Sequence, residues 1–348
     1  MITMLDDARE FPTSAEVRGG AVLVPADGFA QATGWVLKPE GLCQGDVCVP
    51  LQHQPGVVVD GMIDVEKVAP LLGRTVVVDA DAGVVAFAPA AAVVANALRD
   101  LHAPDVTLPQ LDGSPFTLSE VGKKKKALVT WASWCGCRYD LPAWQALHAE
   151  LENEGFTVIS VALDEPDAAR EFVEAVEPTF PVVIDRDHVT AERYGFVNVP
   201  TVIWIDEADN IVRPPDIAPG DDMWREFTGI DSTVHHDQLR AWVREGTLPV
   251  DNDTCIENQN LPTENDQLAR LHRRIAAFLH RAGRDDEAKP HWDAAFELAP
   301  WDWAIQRGGM PLTGRDPFGQ AFFDFSEAWK AAGAPGYSWG NSPLKRDE

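Results

Sequence analysis

The sequence predicts an α/β fold in which strands and helices alternate through a central domain. Two observations lead to this prediction. The apolar run 127–132 is typical of a buried strand, and residues 138–152 follow it with apolar side chains at helical spacing. The same alternation then continues along the chain. It predicts strands at 156–162 and 181–184, a helix at 167–176, a closing hairpin at 201–205 and 211–212, and a last helix at 236–245.

Two further domains flank the central one in this prediction. Residues 1–102 contain short apolar runs separated by turn residues, which indicates a small α+β domain, and the central domain is expected at 103–249. Residues 250–348 predict a helical extension, because apolar residues recur there at helical spacing. Two of its helices resemble one tetratricopeptide-type unit. We expect them to pack as a cap on the central domain.

Composition excludes several classes of function. The chain is 45% hydrophobic and has 12 Trp, which is typical of an ordered globular protein. Its formal net charge of −26 argues against binding to nucleic acid or to an anionic membrane. The first ten residues do not resemble a signal peptide, and no segment has the roughly 20 apolar residues that span a membrane. We therefore predict a cytoplasmic protein, in which cysteine pairs are more often catalytic or metal-binding than structural.

Cys135 and Cys137 lie where the predicted strand gives way to the predicted helix. A thiol at the start of a helix faces unpaired N–H groups and the positive end of the helix dipole, which favour the reactive thiolate. Residues i and i+2 of a regular helix point about 200° apart, so this pair cannot form a disulfide within one. Gly136 with a positive φ could unwind the turn and close the bridge. Otherwise the two thiolates could bind a soft metal.

This motif resembles the active site of the ResA/TlpA-type thioredoxin-like proteins, a group of AhpC/TSA-like redoxins. Their site usually reads Trp-Cys-x-x-Cys-Arg/Lys-x-Glu-x-Pro, and this chain matches it with one residue deleted between the cysteines. The resemblance runs from about Pro104 to Pro249 and implies a thioredoxin-like central domain. It also implies that Val199 and Pro200 form the cis-proline loop that faces the cysteines. The site residues that the match implies are Trp134, Cys135, Cys137, Arg138 and Pro200.

A ResA-like subgroup with the motif Trp-Ala-x-x-selenocysteine-Gly-Cys is a closer match. Cys135 takes the selenocysteine position in this comparison, and Cys137 keeps the position of the second cysteine. The resemblance therefore implies that Cys135 attacks and that Cys137 resolves the intermediate. Many members of the wider group are exported or membrane-tethered, and the expected cytoplasmic location of this chain departs from them.

The other cysteines allow several interpretations. Cys43 and Cys48 flank a turn that contains glycine, and they could form a loop disulfide, a metal site with His53, a second redox pair that exchanges with Cys135 and Cys137, or two unlinked thiols. In a cytoplasmic protein we expect the permanent bridge least. Cys255 is interpreted as structural.

Two segments fall outside the alternating elements. Residues 213–235 form a long insertion, and insertions of this length are often functional or interaction-forming. Residues 303–319 are rich in Arg, Gly and aromatic side chains. This second segment could line a pocket over the active site or form a packed tail, and we favour the tail.

Two functional hypotheses follow. The first is a thiol–disulfide oxidoreductase, with a thiol-dependent peroxide reductase as a variant, in which Cys135 is the nucleophile and Cys137 the resolving thiol. Its substrate would be a protein or a low-molecular-weight thiol or disulfide, and we expect no cofactor. The second is a soft-metal or organometal binding protein that uses Cys135 and Cys137, with or without Cys43 and Cys48. The sequence names neither the physiological substrate nor the oligomeric state.

Overall fold

The computed structural model describes residues 1–336, and the chain divides into two units. The first unit comprises residues 1–93 and 262–300, and the second comprises residues 94–261 together with the chain from residue 301. Three consecutive domains at 1–102, 103–249 and 250–348 are therefore not the observed arrangement. The predicted helical extension is divided between the two units, because its helix pair packs in the first and its aromatic C-terminal part packs in the second.

The first unit is built from three small sheets and four helices within the described residues. A four-stranded sheet has the order Arg74–Asp79, Val84–Pro89, Ile2–Asp6 and Arg9–Thr13. A second has the order Glu16–Arg18, Ala21–Pro25, Met62–Asp64 and Val58–Val59, and a third contains Val36–Lys38, Gly41–Gln44 and Val47–Val49. The helices are Ala26–Thr33, Val65–Leu71, Glu264–Arg281 and Asp285–Leu298.

The long helix pair caps this first unit, which corrects its expected position on the central domain. Gln267 Nε2 donates to the carbonyl of Pro89 at 2.8 Å, and Arg274 Nη1 donates to the carbonyl of Phe87 at 2.9 Å. Both side chains are buried. A sequence pattern shows that a helix has an apolar face but does not show which sheet that face covers.

Cys43 and Cys48 form a disulfide, contrary to the expectation that a permanent bridge is the least favoured arrangement. The reason is local pairing. The two cysteines are directly opposite each other in an antiparallel hairpin, so their side chains lie on the same face of it. While this bridge is intact, neither sulfur is a thiolate that could bind metal. A redox role for the pair stays a prediction.

The second unit contains a five-stranded sheet with the thioredoxin-like order of strands. The order is Val182–Ile184, Phe156–Ala162, Lys125–Trp131, Thr201–Ile205 and Ile211–Asp216. The first three strands are parallel, and the last two run antiparallel as a hairpin. Every residue of Phe156–Ala162 is buried, as the continuous apolar runs in the sequence predicted. The alternation of strand and helix is thus confirmed.

Helices and short turns surround this sheet. A small hairpin, Thr107–Pro109 with Pro115–Thr117, precedes it, and Ala91–Arg99 spans the boundary between the units. Within residues 1–336, no helix combines the length and the apolar character that crossing a membrane requires. The other helices of the unit are Leu141–Leu151, Pro166–Val176, Val189–Tyr194, Arg225–Thr228, Ser232–Glu245, Asn252–Glu257, Trp303–Gln306 and Gln320–Ala331, with 3-10 turns at Leu118–Val121, Gly136–Tyr139, Glu152–Glu154 and Pro311–Thr313.

The C-terminal part of the chain forms an aromatic cluster within the second unit. Trp303, Met310, Phe322 and Trp329 are buried together there. A Cβ at residue 308 would be 2.2 Å from the Ala304 carbonyl oxygen, so glycine is required for the turn, and it would be 3.1 Å from the Trp134 ring, beside the cysteine turn. The segment is therefore part of the same unit as Cys135 and Cys137.

We expect Cys43 and Cys48 to resist alkylation in the unfolded protein until a reductant is added, because their sulfurs are joined. Peptide mass mapping after denaturation without reductant measures this. Cys255, which has no disulfide partner, is the internal control and should be labelled completely. Complete labelling of Cys43 and Cys48 before reduction would contradict the bridge.

Candidate active site

The cysteine turn begins directly after the central strand of the five-stranded sheet. Cys135 has extended backbone angles, φ −120° and ψ 149°, and a 3-10 turn at Gly136–Tyr139 follows it. The regular helix starts only at Leu141, later than predicted. Because Cys135 precedes the helical turn, the i, i+2 geometry that separates side chains within a helix does not apply to this pair. The backbone N–H of Cys137 donates to Cys135 Sγ at 3.4 Å.

Both thiols of this turn are buried and free. Cys135 is 5% exposed and Cys137 is 3% exposed, so neither thiol reaches an open surface. Both nevertheless line the same cavity. Access to Cys135 is therefore through this cavity rather than from an open surface.

Gly136 is required at this turn for a reason that the sequence did not reveal. Its φ is not in the positive region that we expected it to exploit. Instead, the Trp224 ring lies against it, and a Cβ at residue 136 would be 2.6 Å from Trp224 Nε1. Trp224 comes from the long insertion. The insertion thus contacts the residue between the two cysteines.

The surroundings of Cys135 favour its thiolate. Burial raises the pKa of Cys135, but the side-chain hydrogen bond with Cys137 and the positive charge of Arg307 act in the opposite direction. The Cys137 backbone N–H and the charge of Arg138 add to them, and together they lower the pKa of Cys135 to about 7. Much of Cys135 is therefore thiolate at neutral pH, which is the nucleophilic form.

The pKa values of Cys137 and Asp140 are shifted upward, in contrast to that of Cys135. Burial raises the pKa of Cys137 well above its ordinary value, and the hydrogen bond with Cys135 and the charge of Cys135 raise it further. Burial also raises the pKa of Asp140 well above its ordinary value. Asp140 Oδ2 accepts from the Gly220 N–H at 2.9 Å, whereas Oδ1 is buried without a hydrogen-bond partner. The surroundings thus favour the thiolate of Cys135 and disfavour the charged forms of Cys137 and Asp140.

The other site residues that the resemblance implies have different roles. Pro200 belongs to the loop beside Cys135, whereas Arg138 and Trp134 support the cysteine turn. The Val199–Pro200 bond is cis, and the Cys135 thiol donates to the Val199 carbonyl at 3.5 Å. Arg138 Nη1 donates to the Ser133 carbonyl at 2.7 Å, so this arginine braces the turn. Trp134 is buried and donates to the Leu163 carbonyl at 3.2 Å. Trp134 supports the turn and does not line the cavity.

A cavity of about 390 Å³ opens onto the two cysteines. Four parts of the second unit form its wall: the cysteine turn, the Val199–Pro200 loop, residues 217–228 and residues 307–323. The last two provide most of the aromatic rings. The interpretation of residues 303–319 as only a packed tail is therefore wrong. The lining residues are Cys135, Gly136, Cys137, Asp140, Val199, Pro200, Ile217, Pro219, Trp224, Phe227, Thr228, Arg307, Phe318, Phe322 and Phe323.

Comparison with known proteins agrees with this geometry. Residues 100–213 match the AhpC/TSA family. The chain is 30% identical over 128 residues to thiol-disulfide oxidoreductase ResA of Halalkalibacterium halodurans, in an alignment that covers 36% of this chain and 73% of the relative. The chain belongs to the AhpC/TSA family.

Two further relatives are similar to part of this chain. The thioredoxin-like protein YneN of Bacillus subtilis is 32% identical over 111 residues, which cover 30% of this chain and 64% of YneN. ResA of Bacillus thuringiensis subsp. konkukian is 28% identical over 114 residues, which cover 32% of this chain and 66% of that protein. This chain thus spans a little under two thirds of the length of these two relatives.

One solved structure is similar to part of this chain. It is a putative thiol:disulfide interchange protein DsbE from Chlorobium tepidum, with 29% sequence identity and a TM-score of 0.32. The match covers 39% of this chain and 94% of the other.

Sequence reasoning missed two residues of the site. Arg307 and Trp224 are each more than 80 positions from the cysteines in the chain, and neither belongs to the recognised motif. The Arg- and aromatic-rich composition of residues 303–319 was a usable signal for Arg307. The length of the insertion at 213–235 was the corresponding signal for Trp224. Cys255, in contrast, is structural as expected: it is buried, burial raises its pKa to about 12, and its thiol donates to the Ile211 carbonyl at 3.6 Å.

We expect the alkylation rate of Cys135 to rise with pH through a midpoint near 7 and then to level off, because only the thiolate reacts. Arg307→Gln removes a positive charge and should move this midpoint upward by roughly half a pH unit or more. Arg307→Lys keeps the charge and should largely restore it. Arg170→Gln, at an exposed arginine, is the control. Equal midpoints in all four proteins would show that Arg307 does not favour the thiolate.

We expect Gly136→Ala to destabilise the fold by about 1–3 kcal/mol, because the added methyl group overlaps the Trp224 ring. Trp224→Ala alone and the double variant Gly136→Ala/Trp224→Ala complete a cycle measured by chemical denaturation. The double variant should lose less stability than the sum of the two single variants. Additive losses would mean that the contact between the two residues is not what requires glycine.

Proposed function

We propose that this protein is a thiol–disulfide oxidoreductase in which Cys135 is the nucleophile and Cys137 is the resolving thiol. The observation that carries the proposal is the different state of the two sulfurs. The pKa of Cys135 is lowered to about 7, whereas the pKa of its hydrogen-bond partner Cys137 is raised. One thiol is thus ready to attack while the other still holds its proton.

The first step is the attack of the Cys135 thiolate on one sulfur of a substrate disulfide. The substrate S–S bond breaks, a mixed disulfide forms on Cys135, and one substrate thiolate leaves and takes a proton. Cys135 then carries no charge. Two of the interactions that raised the pKa of Cys137, the hydrogen bond with the Cys135 sulfur and the charge on that sulfur, are weakened or lost.

The second step follows from this loss. The charge of Cys135 also contributes to the raised pKa of Asp140, so the Asp140 carboxyl becomes more acidic once the mixed disulfide has formed. Its ionised form is a suitable acceptor for the Cys137 proton, since Asp140 and Cys137 line the same cavity. The Cys137 thiolate attacks Cys135 Sγ, releases the second substrate thiol and leaves a Cys135–Cys137 disulfide. An external thiol reductant regenerates the pair.

The cysteine motif also resembles that of the ResA-like subgroup with Trp-Ala-x-x-selenocysteine-Gly-Cys, and this resemblance supports Cys135 as the attacking atom. The substrate of the proposed oxidoreductase is another protein or a low-molecular-weight thiol or disulfide. Reduction of a hydroperoxide is a variant of the same chemistry. Cys135 would attack the terminal oxygen and release an alcohol, and Cys137 would then displace water from the sulfenic acid.

The second candidate function is soft-metal or organometal binding at Cys135 and Cys137. One observation favours it: the two sulfurs are free, buried and hydrogen-bonded to each other. They therefore lie close together, which two ligands of one thiophilic metal ion require. Cys43 and Cys48 are excluded from this site while their bridge is intact. Metal analysis of protein purified anaerobically and in reduced form tests this candidate.

The proposed location is the cytoplasm, on the sequence grounds given above. A reversible Cys43–Cys48 bridge fits a reducing compartment, whereas a permanent one is more typical of an oxidising compartment. Cell fractionation with an epitope-tagged chain tests the location directly. Recovery outside the cytoplasm would contradict it.

We expect Cys137→Ser to accumulate a mixed disulfide on Cys135 with a disulfide substrate, because the resolving thiol is missing. Cys135→Ser should abolish reduction of the substrate. Cys255→Ala removes a third free thiol that is buried and protonated, and it is the matched control with normal turnover. Intact-mass spectrometry identifies the adduct.

The outcomes separate the candidate functions. Normal turnover by Cys137→Ser would place the resolving thiol elsewhere, with Cys43, Cys48 or an external thiol as candidates. Loss of a bound metal from both Cys135→Ser and Cys137→Ser, with redox activity unchanged, would support the metal-binding function. Turnover with hydrogen peroxide but with no disulfide would identify the peroxide variant.

A further inference from the structure

The cavity beside Cys135 has properties that the proposed function does not require. Thiol exchange needs only an activated thiolate and access to it. Here the access is a cavity of about 390 Å³, which lies within the range of small-molecule sites in proteins. Its wall is predominantly aromatic and aliphatic, and two of its segments, residues 217–228 and 307–323, lie outside the region that matches the AhpC/TSA family.

Four of the five aromatic side chains that line this cavity are exposed to an unusual degree. Trp224, Phe227, Phe318 and Phe323 are each between 41% and 49% exposed, although all four line the cavity. Large exposed apolar groups that cluster in one place are costly in water and mark binding surfaces. An apolar ligand would cover these rings and thereby contribute to its own binding.

Arg307 adds a charge to this apolar wall. It is 6% exposed and lines the cavity, with its guanidinium 5.2 Å from the Phe318 ring centre and 4.2 Å from that of Phe322. Its Nε donates to the Pro317 carbonyl at 3.1 Å, and no carboxylate within residues 1–336 forms an ion pair with it. Its charge faces the Cys135 thiolate, and that thiolate is consumed when the mixed disulfide forms. A buried cation then requires another anion.

We propose that the cavity binds a low-molecular-weight disulfide with an aromatic or similarly apolar body and an acidic group that pairs with Arg307. This inference rests on the proposed function and specifies its substrate. Cys135 attacks one ligand sulfur and the ligand S–S bond breaks. Cys137 then displaces the second half. The ligand gains two electrons and two protons to become two thiols, and the Cys135–Cys137 pair becomes a disulfide. A small dithiol reductant restores the pair for further turnovers.

The test compares three disulfides in single-turnover reactions with the pre-reduced full chain. Dithiobis(nitrobenzoate) is aromatic and acidic, dithiodipyridine is aromatic and neutral, and hydroxyethyl disulfide is small and polar. Each rate is divided by the rate of the same probe with a free small-molecule thiol at equal thiolate concentration. This ratio removes the intrinsic reactivity of the probe. We expect it to be at least tenfold larger for the aromatic acid than for hydroxyethyl disulfide.

Substitutions of residues in the cavity wall test whether the cavity causes the preference for aromatic and acidic probes. Phe227→Ala and Phe323→Ala each remove a half-exposed ring, and each should lower the preference for the aromatic probes over hydroxyethyl disulfide about tenfold. Met223→Ala is the matched control, because Met223 is exposed in the same insertion but does not line the cavity. Arg307→Met should lower the preference for the acidic over the neutral aromatic probe, and Arg307→Lys should restore it.

The results distinguish this inference from the proposed function. If the wild-type protein reduces none of the three probes and no protein disulfide, the proposed function fails. The small-molecule site is refuted if the normalised rate for hydroxyethyl disulfide equals that for the aromatic probes, or if the Phe variants keep the preference. Either result would leave the proposed oxidoreductase function intact. Faster reduction of a scrambled protein disulfide than of any small probe would refute the small-molecule site as well and would identify a protein substrate.

Discussion

The hydrogen bonds between Cys137 and the Cys135 sulfur are the interactions on which the rest of the site depends. They form because Cys135 remains extended while Cys137, two residues later, enters a 3-10 turn. This arrangement stabilises the thiolate on Cys135 at the expense of Cys137, whose pKa is raised by the same contact. A buried thiolate needs such compensation, because burial alone would keep both sulfurs protonated. The order of the proposed reaction therefore follows from the asymmetry of one short turn.

The second unit combines a common scaffold with additions that are specific to this chain. The five-stranded sheet places the cysteine turn and the Val199–Pro200 loop side by side, which is the part that matches the AhpC/TSA family. The additions, residues 217–228 and 307–323, form the aromatic part of the cavity wall and supply Arg307. The scaffold accounts for thiol chemistry, and the additions determine what can reach it. In the proposed function, Arg307 links substrate selection to nucleophile activation, because it lies in the cavity wall and lowers the pKa of Cys135.

The sequence predicted those features that depend on local patterns. Buried parallel strands are continuous apolar runs, and a motif of fixed spacing located both cysteines, so the central fold and Cys135 could be identified from the chain alone. Long-range packing could not be. The role of Gly136 depends on the Trp224 ring, which is 88 positions away in the chain, and the pKa of Cys135 depends on Arg307. The prediction that a permanent bridge is the least favoured arrangement of Cys43 and Cys48 was wrong. It relied on the expected cytoplasmic location and did not consider that the two residues pair directly across a hairpin. The division of the C-terminal helices between two units was missed because an apolar stripe does not specify its partner.

The central claim is that Cys135 and Cys137 are a two-electron redox pair rather than a permanent pair of thiols. The most direct measurement is an anaerobic redox titration of the wild-type chain in buffers of defined thiol–disulfide ratio. Each sample is quenched with acid and then examined by alkylation and peptide mapping. The account predicts one transition in which Cys135 and Cys137 change together from two alkylated thiols to a single linked peptide, while Cys255 remains alkylated throughout. A pair that stays as two thiols across the whole range, or that oxidises only to separate mixed disulfides, would contradict it.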